Sequence, residues 1–315
     1  MARTASKRRA PAKGPFRRII GWAVKLVLLF LVVSVLWVLL YRFVPPPVTF
    51  TMLGDTLGGR TVTREWTPLS AIDDDMERAA IAAEDSKFCS HNGFDQDAIA
   101  EAMRSNAEGK RTLRGGSTIS QQTAKNAFLW QGGGYFRKGL EAWFTFLIES
   151  LWPKQRIMEV YLNVAETGIG TYGVSAGAER YFGKNASNLS RTEAARIAAV
   201  LPLPKKRDAI TPTGFTRRYG NSIAARIRVV ARDRLDACLR GQGGSVPDEE
   251  PTVTKAAKKK REQAPAPPPE RIEDYLTAPD IGAPVEPEAP AAAAPEPVEP
   301  EPAPAEEPAT EEPTA

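Results

Sequence analysis

The chain has 315 residues and a formal net charge of +4, but residues 243–315 alone hold 17 of its 27 prolines, with 17 acids, 6 bases and few large apolar side chains. That composition cannot build a core, so it excludes a second folded domain after about residue 242 and predicts an acidic, disordered Pro/Ala/Glu-rich tail. Without the tail the remainder carries +15, seven of it in the first 18 residues. This suits a diphosphate or an acidic membrane surface, and the lack of any groove-reading or stacking motif argues against nucleic acid.

Residues 1–18 form a basic arm (Arg3, Lys7, Arg8, Arg9, Lys13, Arg17, Arg18) without an acid. Residues 19–41 are an apolar run broken only by Gly21, Lys25 and Ser34. At about 1.5 Å per residue this run can cross a hydrocarbon core of roughly 30 Å. The arm keeps the N-terminus cytoplasmic, and Lys25 can snorkel toward that side. The run is too long for a cleaved signal peptide, and Val44-Pro-Pro-Pro47 lacks small residues in the cleavage pattern, so an uncleaved anchor is expected. The chain beyond Pro45 then lies outside the cytoplasm. Cys89 and Cys238 would meet an oxidising compartment there, but two cysteines are too few to read as a disulfide framework; pairing stays open, and burial as free thiols is the plainer expectation.

Residues 46–67 read as extended, because Val48–Met52 and Arg60–Arg64 alternate β-branched and other residues around Gly58-Gly59. A short hairpin or tether is expected. Pro68, Ser70 and Asp73 are helix-start signals for an alanine-rich helix that ends in Glu84 and Asp85. Burial there could raise a carboxyl toward the range a general acid or base needs; a solvated helix end is the alternative. His91, the sole histidine, has no Cys/His cluster around it, so a structural hydrogen bond is expected rather than a metal ligand. Asp95 caps the next helix, with Ala98, Ile99, Ala102 and Met103 at packing spacing.

Residues 109–116 form a polar loop with three bases, and Ser117 or Thr118 can cap the helix behind it. With Lys125 further along, this is either an anion site or an ordinary cap. Residues 128–152 hold eight aromatic side chains. Flanked by Arg137 and Lys138, they suit either a segment dipping into lipid headgroups or a core helix, and one face could do each. Helices are expected at 154–163, with Ile157, Val160 and Tyr161 inward, at 189–201, and at 216–240, with Ile223, Ile227, Val230 and Cys238 on one side and solvated arginines elsewhere. In the tail, Lys258-Lys-Lys-Arg261 is a basic knot, and Tyr275-Leu276 is a short partner motif or plain spacer.

Five segments stand in order: Glu84-Asp-Ser-Lys-Phe-Cys-Ser-His-Asn-Gly-Phe-Asp95; Gly115-Gly-Ser-Thr-Ile-Ser-Gln-Gln122, continuing to Lys125 and Asn126; Arg137-Lys-Gly-Leu-Glu141; Lys154-Gln-Arg-Ile-Met-Glu-Val-Tyr-Leu-Asn163; and Tyr172-Gly-Val with Tyr181-Phe-Gly-Lys184. Together, over roughly Pro68 to Pro204, they resemble the five blocks of the peptidoglycan glycosyltransferase family in its monofunctional form, the module that polymerises lipid II. The resemblance implies a mainly α, lysozyme-like domain at 46–242, periplasmic and held to a bacterial inner membrane by one helix. It implies Glu84 as general base for the acceptor hydroxyl. Glu141 is the second carboxylate, assisting diphosphate departure directly or through a divalent ion such as magnesium or manganese. Lys125, Arg137 and Lys138 would neutralise the diphosphate, while Asp85, Ser117, Gln121 and Gln122 line the site.

The implied partners are lipid II, the growing glycan strand and membrane lipids, with cell-wall synthesis or division proteins as candidates for the tail. The sequence departs from the family at Gly132-Gly-Gly134, where members often carry a base. No Ser-x-x-Lys block with a companion Lys-Thr-Gly is present, so cross-linking activity is not expected. Two rivals remain: a lytic glycan-cleaving enzyme, which also needs a raised-pKa glutamate in a helical groove, and a non-catalytic wall tether.

Overall fold

In the computed structural model, which describes residues 15–107 and 116–240, the apolar run forms one long helix, α1 (Pro15–Phe43). The arm before residue 15, the loop bases Lys110, Arg111 and Arg114, and the tail for which disorder is expected lie outside the described residues. By length and composition α1 can cross a membrane, and its first two thirds expose Leu26, Val27, Leu28, Leu29 and Val32. From Ser34 onward one side belongs to the protein core. Trp143 Nε1 donates to Ser34 Oγ at 3.0 Å and Trp152 Nε1 to the Val38 carbonyl at 2.8 Å. Arg156 donates to the Tyr41 carbonyl, and the Trp37 ring meets Phe128 at 5.4 Å. Buried indole N–H groups need acceptors, and these two find them on α1, so the end of α1 is built into the fold.

The extended reading of residues 46–67 is corrected by α2 (Phe50–Leu57), with only the two-residue β1 (Thr63–Arg64) behind it. Thr49 caps α2 by accepting from the Met52 amide at 3.3 Å. The β-branched alternation is therefore a cap followed by a first turn. Met52 and Asp55 face inward, whereas Phe50, Leu53 and Leu57 face outward.

Asp73 caps α3 (Asp74–Glu84), as read, through the Asp75 amide at 2.9 Å. Asp95 likewise caps α4 (Gln96–Ala107) through Ala98 at 3.0 Å, but the packed face differs. Ala102 and Ser105 are buried while Met103 is 69% exposed. Then come α5 (Ile119–Phe128), α6 (Gly134–Leu151), α7 (Lys154–Val164), β2 (Glu166–Gly168), β3 (Thr171–Tyr172), α8 (Val174–Phe182), α9 (Arg191–Val200) and α10 (Gly214–Arg232). The small sheet runs β1–β3–β2, with β1 parallel and β2 antiparallel to β3. Two helix groups make the body: α5 with α6 and α7, and α3 with α9 and α10. On α6, Phe144, Leu147 and Ile148 are buried while Tyr135, Phe136 and Phe146 are exposed, so the aromatic segment serves both the core and the surface.

The last predicted helix ends early. Ile223, Ile227 and Val230 are buried as expected, but α10 stops at Arg232, Arg234 turns left-handed at φ 54°, and a single turn at Ala237–Leu239 folds back. That reversal carries Cys238 to Cys89, and the two form a disulfide with Cα atoms 5.4 Å apart. The free-thiol expectation is thus overturned, because a straight helix to residue 240 would have kept them apart. The bond closes a loop of 149 residues, for which loop-closure entropy corresponds to about 5 kcal/mol. Cys89→Ser/Cys238→Ser is expected to lower Tm by about 10 °C or more in thermal unfolding under oxidising conditions, and to unfold at the temperature of fully reduced wild type.

Candidate active site

The two helix groups face each other across a cavity of about 390 Å³. Ala83 and Glu84 of α3, Pro202 after α9 and Tyr219 of α10 line it from one group. Gln122 and Lys125 of α5, Arg137, Lys138 and Glu141 of α6, and Ser117 before α5 line it from the other.

Glu84 is the last residue of α3, and Asp85 leaves the helix at φ −157°, ψ 80°. That turn sends the two neighbouring carboxylates in different directions. Glu84 faces the cavity and accepts from Gln122 Nε2 at 2.9 Å. Asp85 points into the protein. Its Oδ2 accepts the Ile119 amide, the first of α5, at 3.0 Å, and His91 Nε2 lies 2.9 Å from its Oδ1. The Gly93 amide donates to His91 Nδ1 at 3.1 Å, so the ring proton sits on Nε2 and His91 donates to Asp85. Gly93 sits at φ +88°, and a Cβ there would stand 2.8 Å from Thr145 Cγ2. Its carbonyl accepts from Thr118 Oγ1 at 2.7 Å. Thr118 in turn forms a capping box with Gln121 at the head of α5. The segment after Glu84 is thereby bonded to the helix that carries Gln122 and Lys125.

Burial pushes the Glu84 carboxyl above its ordinary range, and the charge of Asp85 adds to this. The Gln122 hydrogen bond and the charges of Arg207 and Lys125 act against it. Burial pushes the Lys125 ammonium down, while Glu141 and Glu84 oppose that and Arg137 and Lys138 assist it. Glu141 is 3% exposed. Arg137 Nη1 donates to its Oε2 at 2.7 Å and Lys138 Nζ to its Oε1, pairs that one helix face supplies at i,i+4 and i,i+3. The α6 wall therefore offers charge-assisted N–H donors to an anion. The glycine turn at 132–134, with φ of +80°, +87° and +54°, brings the Gly132 carbonyl to Arg137 Nε at 2.5 Å.

Of the residues the sequence singles out, Glu84, Ser117, Gln122, Lys125, Arg137, Lys138 and Glu141 meet around the cavity, although Glu84 and Glu141 are 57 positions apart. Asp85 and Gln121 do not line it. One holds α5 in place and the other completes its cap. A divalent ion beside Glu141 does not fit this arrangement. Both of its oxygens are taken by cations, and among the described residues no group of three His, Cys, Asp or Glu could hold a metal. Sequence reasoning missed Pro202 and Tyr219. Tyr219 donates to the Ala83 carbonyl at 2.9 Å, and its signal was the pair of aromatic residues, Phe215 and Tyr219, four apart in an arginine-rich helix.

A family model described as Transglycosylase matches residues 51–231. A biosynthetic peptidoglycan transglycosylase of Caulobacter vibrioides is 49% identical over 217 residues, covering 68% of this chain and 94% of the relative. One of Bdellovibrio bacteriovorus is 49% identical over 226 residues, covering 69% and 89%. One of Xanthomonas campestris pv. campestris is 49% identical over 209 residues, covering 64% and 85%.

The Asp85 bonds give a measurable expectation. Asp85→Ala should cost about 2 kcal/mol, since it strands a buried amide and an imidazole N–H. It should read as a fall in Tm, whereas Ser117→Ala at the cavity rim should leave Tm unchanged.

Proposed function

The chain belongs to the transglycosylase family of biosynthetic peptidoglycan glycosyltransferases, and from that premise we propose that it polymerises lipid II into glycan strands and releases polyprenyl diphosphate. The observation that carries this is the division of the cavity, with one carboxylate free to take a proton on the α3 wall and three cations on the opposite side. In the step proposed, Glu84 removes the proton from the C4 hydroxyl of the incoming lipid II. The freed oxygen bonds to the anomeric carbon of the growing chain from the face opposite the diphosphate. The bond from that carbon to the phosphate oxygen breaks, and its electron pair leaves on the diphosphate. Lys125, Arg137 and Lys138 hold the charge that develops, in a site shielded enough to strengthen each contact. Gln122 orients Glu84, Ser117 contacts substrate at the rim, and Glu141 keeps Arg137 and Lys138 aimed. A neutral glycosidic bond has no use for this cationic wall, which favours synthesis over lysis.

The membrane arrangement is proposed on the same footing: a cytoplasmic arm at 1–18, a span at 19–41, a periplasmic catalytic domain at 46–242 and an acidic spacer at 243–315 that reaches cell-wall synthesis or division proteins. About 20 residues of helix cross the apolar layer. Counted from Arg18, that reaches Val38, so the Ser34–Trp143 bond falls at leaflet depth. Exposed Tyr135 and Phe136, next in sequence to the Arg137 and Lys138 that line the cavity, and Phe50, Leu53 and Leu57 on α2 supply apolar surface suited to a lipid tail.

Detergent-solubilised wild type with labelled lipid II should make polymer visible on a gel, and Glu84→Gln should lose at least about a hundredfold, the scale of general-base catalysis. Shortening of preformed glycan without polymer would instead indicate a lytic enzyme. Because Glu84 is raised and works as the ionised form, the wild-type rate should climb with pH through a limb above the usual carboxylate range and then level off. A limb at the ordinary range would contradict the buried-base reading. Tyr135→Asp/Phe136→Asp should weaken activity on lipid II in vesicles far more than activity in detergent.

A further inference from the structure

Two cations act by charge on Glu84, and only one of them belongs to the wall assigned to the diphosphate. Lys125 is on that wall. Arg207 is not among the residues lining the cavity, yet its charge acts on Glu84. It lies in the turn after α9, where its amide donates to the Leu203 carbonyl at 3.0 Å and its Nη1 to the Ala199 carbonyl at 2.8 Å. Its guanidinium carbon stands 5.1 Å from the Phe215 ring centre and 5.9 Å from that of Tyr219. Those rings stack on each other at 5.5 Å, and Tyr219 is bonded to the carbonyl of Ala83, the residue before Glu84. Two faces of aromatic charge density and a carbonyl thus fix the position of one guanidinium relative to the end of α3.

We propose that Arg207 is a positioning residue for the transfer step: anchored outside the cavity, it keeps Glu84 able to accept the acceptor proton while the diphosphate occupies Lys125. This rests on Glu84 being the base. The groups facing Glu84 are Asp85 beside it, Gln122 and Lys125 from α5, Tyr161 from α7, Tyr219 from α10 and Arg207 from the turn, with Arg137, Lys138 and Glu141 across the cavity. Burial pushes both tyrosines up, and the charge of Glu84 pushes them further, so they stay neutral. Of the remaining groups, Lys125 and Arg207 draw Glu84 toward its ionised form by charge.

Substrate changes that balance. A bound diphosphate brings negative charge that consumes the pull of Lys125 and itself opposes a second anion nearby. Burial and Asp85 would then drive Glu84 toward the protonated form, which cannot act as base. Arg207 is not among the residues that line the cavity, so its charge persists when the base is needed. Two rings and a backbone carbonyl hold its guanidinium in place.

The test is the pH dependence of lipid II polymerisation at saturating substrate for wild type, Arg207→Met and Arg207→Lys, with Tm recorded for each. Arg207→Met should move the acid limb of kcat to higher pH by about one unit. On that limb its rate should fall about tenfold and recover toward wild type on the alkaline plateau, with KM little changed. Arg207→Lys, which keeps the charge, should hold the limb near its wild-type place. If Arg207→Met does not fold, Arg207→Gln removes the charge and keeps a donor for Ala199. A limb that stays in place in whichever neutral variant folds, with the rate lowered equally at every pH, overturns the proposal in favour of packing alone. A raised KM with kcat intact overturns it in favour of a substrate contact. Wild type that makes no polymer at any pH defeats the assignment of Glu84 itself, an outcome distinct from polymer made with an unmoved limb.

Discussion

The side chain of Asp85 joins the two halves of the cavity. It accepts the first amide of α5 and the Nε2 proton of His91, so the end of α3 is bonded to the start of the helix that carries Gln122 and Lys125. A buried carboxylate is costly unless its acceptors are filled, and a helix N-terminus is the place where unpaired amides and dipole favour a negative charge. Each therefore satisfies the other. Because Asp85 is turned inward, Glu84 is left to face the cavity. Gly93 extends the same seam through Thr118. The Cys89–Cys238 disulfide ties its outer edge to the chain after α10, the helix that supplies Tyr219.

From that seam comes a division of labour between two glutamates of identical chemistry. Glu84 has one neutral donor on its carboxylate and burial raising its proton affinity, which suits it to the proposed role of base. Glu141 has an arginine and a lysine on its two oxygens, which suits it to the proposed role of holding cations in place. In the proposed step the cations gather the charge of the leaving diphosphate, and Glu84 takes the proton of the acceptor hydroxyl. Separating the two walls lets each group be tuned without neutralising the other, since a base among the lysines would lose its proton affinity. The docking of α1 on α6 and on Phe128 at the end of α5 ties the cavity-bearing body to the apolar helix, which suits the lipid-linked substrate proposed.

Much of this was legible from residues alone. The alanine-rich helix ending in Glu84, the capping residues Asp73 and Asp95, the apolar anchor and the inward faces of α7 and α10 all arise from spacing and caps, which are local. The pairing of Glu84 with Glu141 came from the resemblance of the five blocks, because no spacing rule reaches across 57 residues. Other features were not legible, for reasons that are physical. Which of two adjacent carboxylates faces the cavity depends on the dihedrals of the residue that ends the helix. The helical α2 hid behind a β-branched alternation because a threonine cap and a first turn produce the same pattern over five residues. The disulfide depends on a left-handed turn at Arg234, a non-glycine residue that carries no signal for it. Tyr219 sits in a helix whose arginines read as solvated, Pro202 and Arg207 in the turn before it, and only tertiary packing brings them to the end of α3.

The central claim is a single displacement in which Glu84 takes the proton and the cations take the diphosphate. It is tested most directly by the anomeric configuration of the first glycosidic bond formed, read by NMR from the coupling of the anomeric proton in a short product made from lipid II of known configuration. With only one carboxylate free to act, attack must come from the face opposite the diphosphate, so the new bond should have the configuration inverse to the donor. Retention would require a second nucleophile and a covalent glycosyl-enzyme intermediate. That would contradict the roles of both glutamates, Glu84 as base and Glu141 as the holder of its neighbouring cations.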